Sequence, residues 1–141
     1  MQMISVDVNI VTVIIAAIVS FIVGWLWHSP LLFGRQWMKL SGKNPKEMDK
    51  KMDMSKMQMP MLMQFIAAIV MAYVLSHILN AYQTAGWSEA LQGAFWLWLG
   101  FIATTSLNPV LWEGKSWNLW LFNNAYQLVS LIIMAFVLVS F

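Results

Sequence analysis

Cysteine is absent from the 141-residue sequence, and only 10% of the residues are charged. Without cysteine the chain cannot form disulfides, thiolate metal sites or a thiol nucleophile. A soluble domain has about 25% charged residues. Here 60% of the residues are hydrophobic, so the composition excludes an ordinary soluble domain.

Motifs typical of enzymes are also missing. The sequence has no nucleophile paired with a base, no glycine-rich phosphate loop after a strand, and no His/Glu metal-binding spacing on a helix. We therefore expect no enzymatic activity, no catalytic residues, and no metal or cofactor. Nucleic-acid binding is not expected either, because the basic residues lie where membrane topology requires them.

Four long uncharged stretches are instead typical of membrane-spanning helices. A helix of about 20 residues extends about 30 Å, which is the thickness of the hydrocarbon core. The predicted fold is all-α: an integral membrane four-helix bundle with a cytoplasmic amphipathic segment between spans one and two, in a single transmembrane domain over residues 1–141. The predicted spans are residues 8–27, 60–79, 90–108 and 117–140.

Basic residues predict the orientation of these spans. Seven of the eight lysines and arginines lie between Arg35 and Lys56, and the eighth, Lys115, lies between spans three and four. The positive-inside rule then places the 28–59 loop in the cytoplasm and both termini outside. We expect the protein in the plasma membrane, as a bacterial inner-membrane protein. Tryptophans concentrate near the cytoplasmic boundary, as in an aromatic belt.

The first span ends in a segment rich in aromatic residues. Ser29 is a predicted N-cap and Pro30 a predicted first residue of an interfacial helix. Arg35 and Lys39 would lie on one side of that helix, with aromatic residues on another, and Ser41 followed by glycine would end it. The distinctive residues of the segment are Gly24, Trp27, His28, Ser29, Pro30, Phe33, Gly34, Arg35 and Trp37.

The pattern Gly-x-x-Trp-x-Ser-Pro-Leu-x-Phe-Gly-x-x-Trp, beginning at Gly24, resembles the signature of a small bacterial membrane family, domain of unknown function 1761. The resemblance extends along nearly the whole chain, to a Gly-Phe-rich third helix and a Glu-Gly-x-x-Trp connection before the last one. The family's pattern has an aromatic residue, usually Tyr, where this chain has His28. The resemblance implies a four-span architecture and implies no activity.

Polar residues in the last two spans are the predicted intramembrane site. Amides in hydrocarbon are costly unless they are paired, so they should face other helices or a wet cavity. Together they would line a pocket for a polar substrate or ion, open to the cytoplasm. Alternatively, they form interhelical hydrogen bonds, or their hydroxyls bond to the carbonyl one turn back. These residues are Asn123, Gln127, Ser130, Thr104, Thr105 and Asn108.

The histidines and the methionines are two further groups of candidate side chains. His28 and His77 lie at opposite ends of the spans, so they cannot share a metal within one subunit. Methionines crowd residues 48–63, and thioethers select Cu(I). Because no Cys or His accompanies them, we favour packing over copper binding.

Two interpretations of function stay open. In the first, the protein binds or conducts a small polar or amphipathic molecule. A bundle this small has a thin interior, so a homo-oligomer with a pathway between subunits is expected. In the second, it is a non-transporting structural or accessory protein that contacts the lipid bilayer or a partner through its tryptophan-rich inner face.

Overall fold

The structure, a computed structural model, describes residues 7–42, 44 and 54–140. Within these ranges the regular structure is helical, and no strand is present. The helices are α1 (Ile10–Trp27), α2 (Gly34–Leu40), α3 (Met54–Ala81), α4 (Trp87–Leu97), α5 (Asn108–Trp112) and α6 (Trp117–Ser140). A π-helix (Trp98–Ala103) and a 3₁₀ turn (Thr105–Leu107) connect α4 to α5.

Four stretches of the described chain are long and apolar enough to cross a membrane. Lipid offers no hydrogen bonds to the backbone, so such stretches must satisfy their own N–H and C=O groups as helices. The predicted all-α, four-helix membrane bundle is therefore confirmed. The stretches are Ile10–Trp27, Gln58–Ala81, Trp87–Trp112 and Trp117–Ser140.

Buried alanines occupy the contacts between the helices of the bundle. The helix α1 packs against α3 and α6, and α6 packs against α4. Small side chains at these contacts let the helix backbones approach closely, which is how helices associate where lipid is as apolar as the protein. The fully buried alanines are Ala16, Ala17, Ala72, Ala90, Ala94 and Ala135.

The segment after α1 differs from the prediction that Ser29 caps a helix. The Ser29 hydroxyl donates to the carbonyl of Leu26 at 2.7 Å, and the Ser29 carbonyl accepts from the N–H of Gly34 at 2.8 Å. These bonds close a tight turn, so the interfacial helix α2 begins only at Gly34. Its predicted end is confirmed at Ser41, and Gly42 has the positive φ of +80° that favours glycine.

Two prolines lie inside spans rather than at their ends. The helix α3 begins at Met54 and includes Pro60, so it is longer than the predicted 60–79. Pro109 was expected to close the third span at residue 108, but it occupies the first turn of α5. That position needs no N–H, and the span continues to Trp112.

The end of the bundle opposite α2 is joined by side-chain bonds. Asn9 caps α1 by accepting from the N–H of Val11 at 3.0 Å. The Asn80 amide donates to the Asp7 carbonyl at 2.9 Å, and the Trp87 indole donates to Ser140 Oγ at 3.0 Å. Much of the methionine-rich segment, including Met48 and Met52, lies outside the described residues.

Candidate functional site

A cavity of about 540 Å³ lies between α1, α3 and α6. It occupies the end of the bundle where α1 ends and α3 and α6 begin, on the side of α2. Its wall mixes polar side chains with aromatic and aliphatic ones, and it includes no Asp, Glu, Lys or Arg. The lining residues are Ser20, Phe21, Gly24, Trp25, His28, Pro60, Met61, Gln64, Ala68, Asn123, Tyr126 and Gln127.

Helical spacing explains how α1 and α6 supply the polar part of this wall. Residues three and four positions apart lie on one face of a helix. On α6 that face presents Asn123, Tyr126 and Gln127 to the cavity. One turn further, Ser130 is buried, and its hydroxyl lies 2.5 Å from that of Ser20 on α1. This bond joins α1 to α6 beside the cavity.

Three side-chain amides of the cavity have no hydrogen-bond partner among the described residues. These are Gln64 on α3 and Asn123 and Gln127 on α6. Gln64 and Asn123 are exposed, and Gln127 is half-buried. An amide placed among apolar spans is costly without a partner. These amides are therefore free to bind polar groups of a ligand.

Gly24 allows α6 to approach α1 at the cavity wall. A Cβ atom at this position would overlap the Tyr126 hydroxyl oxygen and would lie 3.1 Å from Cζ of the same ring. Only glycine leaves room for that phenol. The close approach brings the Tyr126 ring into the cavity and within 5.0 Å of the His28 ring centroid.

Aromatic rings pack together beside the cavity at the end of α1. The ring of His28 meets that of Trp37 on α2, with centroids 5.3 Å apart, and that of Phe122 on α6, with centroids 6.1 Å apart. Trp27 packs against Phe33 at 4.8 Å. Its indole nitrogen is buried and has no hydrogen-bond partner in the described part of the chain.

The structure does not bring the polar residues of the third span to this cavity. The hydroxyls of Thr104 and Thr105 donate to the carbonyls of Gly100 and Phe101, at 2.7 Å and 2.6 Å. Both threonines are exposed, and so is Asn108. Hydroxyls that bond one turn back are satisfied within their own helix. They therefore stand apart from Asn123 and Gln127.

Asn124 makes the contact between the third span and α6 instead. It is only 2% exposed, and its Oδ1 accepts from the Ser106 hydroxyl at 2.9 Å. Its Nδ2 donates to the Trp120 carbonyl, also at 2.9 Å. The Trp98 indole donates to the Asn124 backbone carbonyl at 2.9 Å. This junction is fully bonded, so it has a structural role.

A second space, of about 610 Å³, lies between α3, the third span and α6. Its walls are apolar throughout, so it has no polar group that would orient a ligand. Among the described residues, no three His, Asp or Glu side chains come together as a metal site. The cavity at α1, α3 and α6 is therefore the candidate binding site. The apolar space is lined by Ala67, Val70, Met71, Val74, Leu75, Ile78, Leu97, Phe101, Ile102 and Leu131.

Residues 11–139 match the model of a family described as a protein of unknown function, DUF1761. The chain belongs to that family. The match confirms the resemblance seen from Gly24 onward in the sequence. No curated protein and no solved structure matches the chain. Since the family's description gives no activity, function has to be argued from the cavity.

The residues of the family resemblance lie at one end of the cavity. Gly24 and His28 line it, and Trp27, Phe33 and Trp37 form the aromatic contacts beside it. The others shape the turn into α2: Ser29 and Gly34 are buried there, and Pro30 and Arg35 are exposed. Gly24, Trp25 and His28 are therefore the residues of this segment that line the candidate site, and the remainder packs beside them or forms the turn into α2.

Sequence reasoning missed Ser20, Gln64 and Tyr126, and it assigned Gly24 and His28 to the interfacial segment rather than to a cavity, although a signal was present for some of them. Ser20, Gly24 and His28 are spaced four residues apart and so share one face of α1. Gln64 is an isolated amide near the start of an apolar span. Tyr126 has no such signal, because a tyrosine near the end of a span is typical of the aromatic belt.

Proposed function

We propose that this protein binds a small polar or amphipathic molecule in the cavity between α1, α3 and α6. The observation that carries the proposal is the set of unpaired amides, Gln64, Asn123 and Gln127, around one cavity in otherwise apolar spans. The lining residues include no nucleophile that is hydrogen-bonded to a general base, so the lining fits a binding role better than a catalytic one.

The size and composition of the cavity support a small ligand. Binding sites for small molecules usually enclose about 300–1,000 Å³ and combine apolar walls with a few polar groups that fix orientation. At about 540 Å³, this cavity falls within that range. Phe21, Trp25 and Met61 offer apolar contacts, and the amides offer both donors and acceptors. An amphipathic molecule would use both kinds of surface.

Basic residues support a cytoplasmic position for the cavity. It lies at the end of the bundle that carries the 28–59 loop and the turn with Lys115. The positive-inside rule favours a cytoplasmic position for these loops, with both termini outside. We propose the plasma membrane as the location. The ligand would then exchange with the cytoplasm or with the inner leaflet of the bilayer.

The exposed amides also support a homo-oligomer. Gln64 and Asn123 are exposed on the surface of the single chain. In a membrane this exposure is costly, and interhelical contacts between polar residues relieve it. A second copy placed over this side would complete the wall and form a conduit between subunits.

A second candidate function is a non-transporting accessory role. Its support is the exposed tryptophan surface near the same end of the bundle, where Trp112 is 84% exposed and Trp117 is 59% exposed. Amphipathic indoles suit contacts with lipid headgroups or with a partner's surface. On this account the cavity amides serve assembly, and no ligand occupies the cavity.

A thermal-stability screen in lipid vesicles separates the two roles. Polar and amphipathic compounds are added to the wild type and to the double variant Asn123→Leu, Gln127→Leu. A ligand at about 100 times its Kd stabilises a protein by about 2.7 kcal/mol. We expect at least one compound to stabilise the wild type and not the double variant. Without ligand, the wild type and the double variant should have the same Tm.

Gln92→Leu is the matched control, because Gln92 is an exposed amide on α4, away from the cavity. This variant should respond to ligands as the wild type does. The binding role would be refuted if no compound stabilised the wild type, or if the double variant responded equally. Altered assembly of the double variant without any ligand response would favour the accessory role.

A further inference from the structure

The ring of His28 has one nitrogen bonded to its own helix. Nδ1 lies 2.9 Å from the carbonyl oxygen of Gly24. A carbonyl oxygen only accepts hydrogen bonds, so Nδ1 must carry the proton. In the neutral imidazole, which has one ring proton, Nε2 is then left with a lone pair and can accept a hydrogen bond.

Neighbouring rings pack around the plane of the imidazole. It meets Trp37 at an interplanar angle of 87°, Tyr126 at 78° and Phe122 at 74°, which are favourable arrangements for aromatic pairs. Turning the ring over by 180° would keep its plane and these edge contacts but would break the bond to Gly24. In the neutral ring that bond therefore selects the tautomer with the proton on Nδ1.

The acceptor at Nε2 restricts which ligand the cavity selects. Among the described residues, the His28 ring has no hydrogen bond besides the one to Gly24. No Asp, Glu, Lys or Arg lines the cavity. With the His28 ring neutral, a carboxylate or phosphate would meet a lone pair and no cation, which disfavours a buried anion. A neutral group with a hydrogen-bond donor is complementary to Nε2.

We propose that His28 is the specificity-determining residue of the cavity, an inference that rests on the proposed function. Its Nε2 accepts a hydrogen bond from a hydroxyl or amide N–H of a neutral amphipathic ligand. The apolar part of that ligand packs against Phe21 and Trp25, while Asn123 and Gln127 bind its remaining polar atoms.

The tautomer is tested first, by ¹⁵N NMR of histidine-labelled protein in phosphatidylcholine nanodiscs at alkaline pH. The sequence contains two histidines, and the exposed His77 is identified by the variant His77→Gln. We expect a protonated Nδ1 and an unprotonated Nε2 at His28. A spectrum with the proton on Nε2 of His28 would overturn the proposal.

The donor requirement is tested with two probes, 1-decanol and decyl methyl ether, at matched mole fractions in the bilayer. Their apolar chains are alike, but the ether has no O–H. One neutral hydrogen bond corresponds to about a fivefold difference in Kd. Decanol should therefore bind about fivefold more tightly than the ether and shift the Nε2 resonance of His28 but not that of His77.

The variant His28→Asn removes the acceptor alone. The introduced asparagine amide can still donate to the Gly24 carbonyl, but it has no group at the position of Nε2. This variant should bind the two probes equally. If decanol shifts the side-chain amide resonances of Asn123 and Gln127 but not the Nε2 resonance of His28, the role of His28 is refuted and the binding function stands. If decanol shifts none of these resonances in the wild type, the role of His28 and the binding function are both refuted.

Discussion

Asn123 and Asn124 are adjacent residues of the same type with different surroundings. Successive residues of a helix point about 100° apart, so one step along α6 separates the cavity wall from the junction with the third span. Asn123 is exposed and unpaired among the described residues, whereas Asn124 is buried and bonded to Ser106. Asn124 therefore has a packing role, whereas Asn123 is available for the proposed binding role.

Gly24→Ala is expected to destabilise the protein and to distort the cavity. The new methyl group would overlap the Tyr126 hydroxyl and displace the phenol from α1. Overpacking of this kind usually costs about 1–3 kcal/mol. Thermal denaturation in detergent micelles measures the loss.

Two further variants make that result specific. Gly100→Ala adds the same methyl group where nothing lies within 4 Å, so its Tm should stay close to that of the wild type. Adding Tyr126→Phe to Gly24→Ala removes the overlapping hydroxyl and should restore part of the stability. Equal losses in Gly24→Ala and Gly100→Ala would contradict the close approach of α1 and α6.

At the residue scale, the sequence predicted part of the candidate site. Spacing along one helix identified Asn123, Gln127 and Ser130 as one face, since that periodicity is local. Which residues of α1 and α3 complete the wall depends on how the helices pack, and no pattern within one span reports it. For the same reason the sequence placed Thr104 and Thr105 near the pocket, although their hydroxyls bond within their own helix.

At the element scale, the third span combines three kinds of helix. Its α4 turns give way to the π-helix Trp98–Ala103 and then to the 3₁₀ turn Thr105–Leu107. A π-helical turn interrupts the usual pattern of backbone bonds and is often associated with functional positions. Here the Trp98 indole donates to the carbonyl of Asn124 at 2.9 Å, which ties the irregular segment to α6.

Trp98→Phe is expected to weaken this attachment. The substitution removes the indole N–H and leaves the Asn124 carbonyl without that donor, a loss of about 0.5–1.5 kcal/mol. Trp96→Phe is the matched control, since that indole is 65% exposed and should be neutral. Chemical denaturation in micelles compares the two variants, and equal effects would show that the bond from Trp98 contributes nothing.

The existence of the helices could be predicted better than their ends. Long uncharged runs require helical spans, because lipid cannot satisfy a bare backbone. Start and stop signals were less informative: Ser29 bonds back to Leu26 instead of capping α2, and Pro109 continues the third span from the first turn of α5. Each of these residues is compatible with both outcomes, and contacts beyond its own segment decide between them.

At the scale of the whole molecule, the charge distribution predicts which loops face the cytoplasm. The cysteine-free chain allows this to be tested with single substitutions, Gln36→Cys in α2 and Ala85→Cys in the turn before α4. A maleimide that cannot cross membranes, added to intact cells, should label Ala85→Cys. It should label Gln36→Cys only after the cells are lysed. The reverse pattern would contradict the proposed orientation and place the cavity on the outer side.

Native mass spectrometry of the protein, released from a mild detergent, tests the central claim most directly. We expect the wild type to appear as a defined oligomer that retains a small bound molecule. The Asn123→Leu, Gln127→Leu variant should lose that molecule. A wild type that carries nothing, or a double variant that carries the molecule to the same extent, would contradict a ligand-binding cavity between α1, α3 and α6.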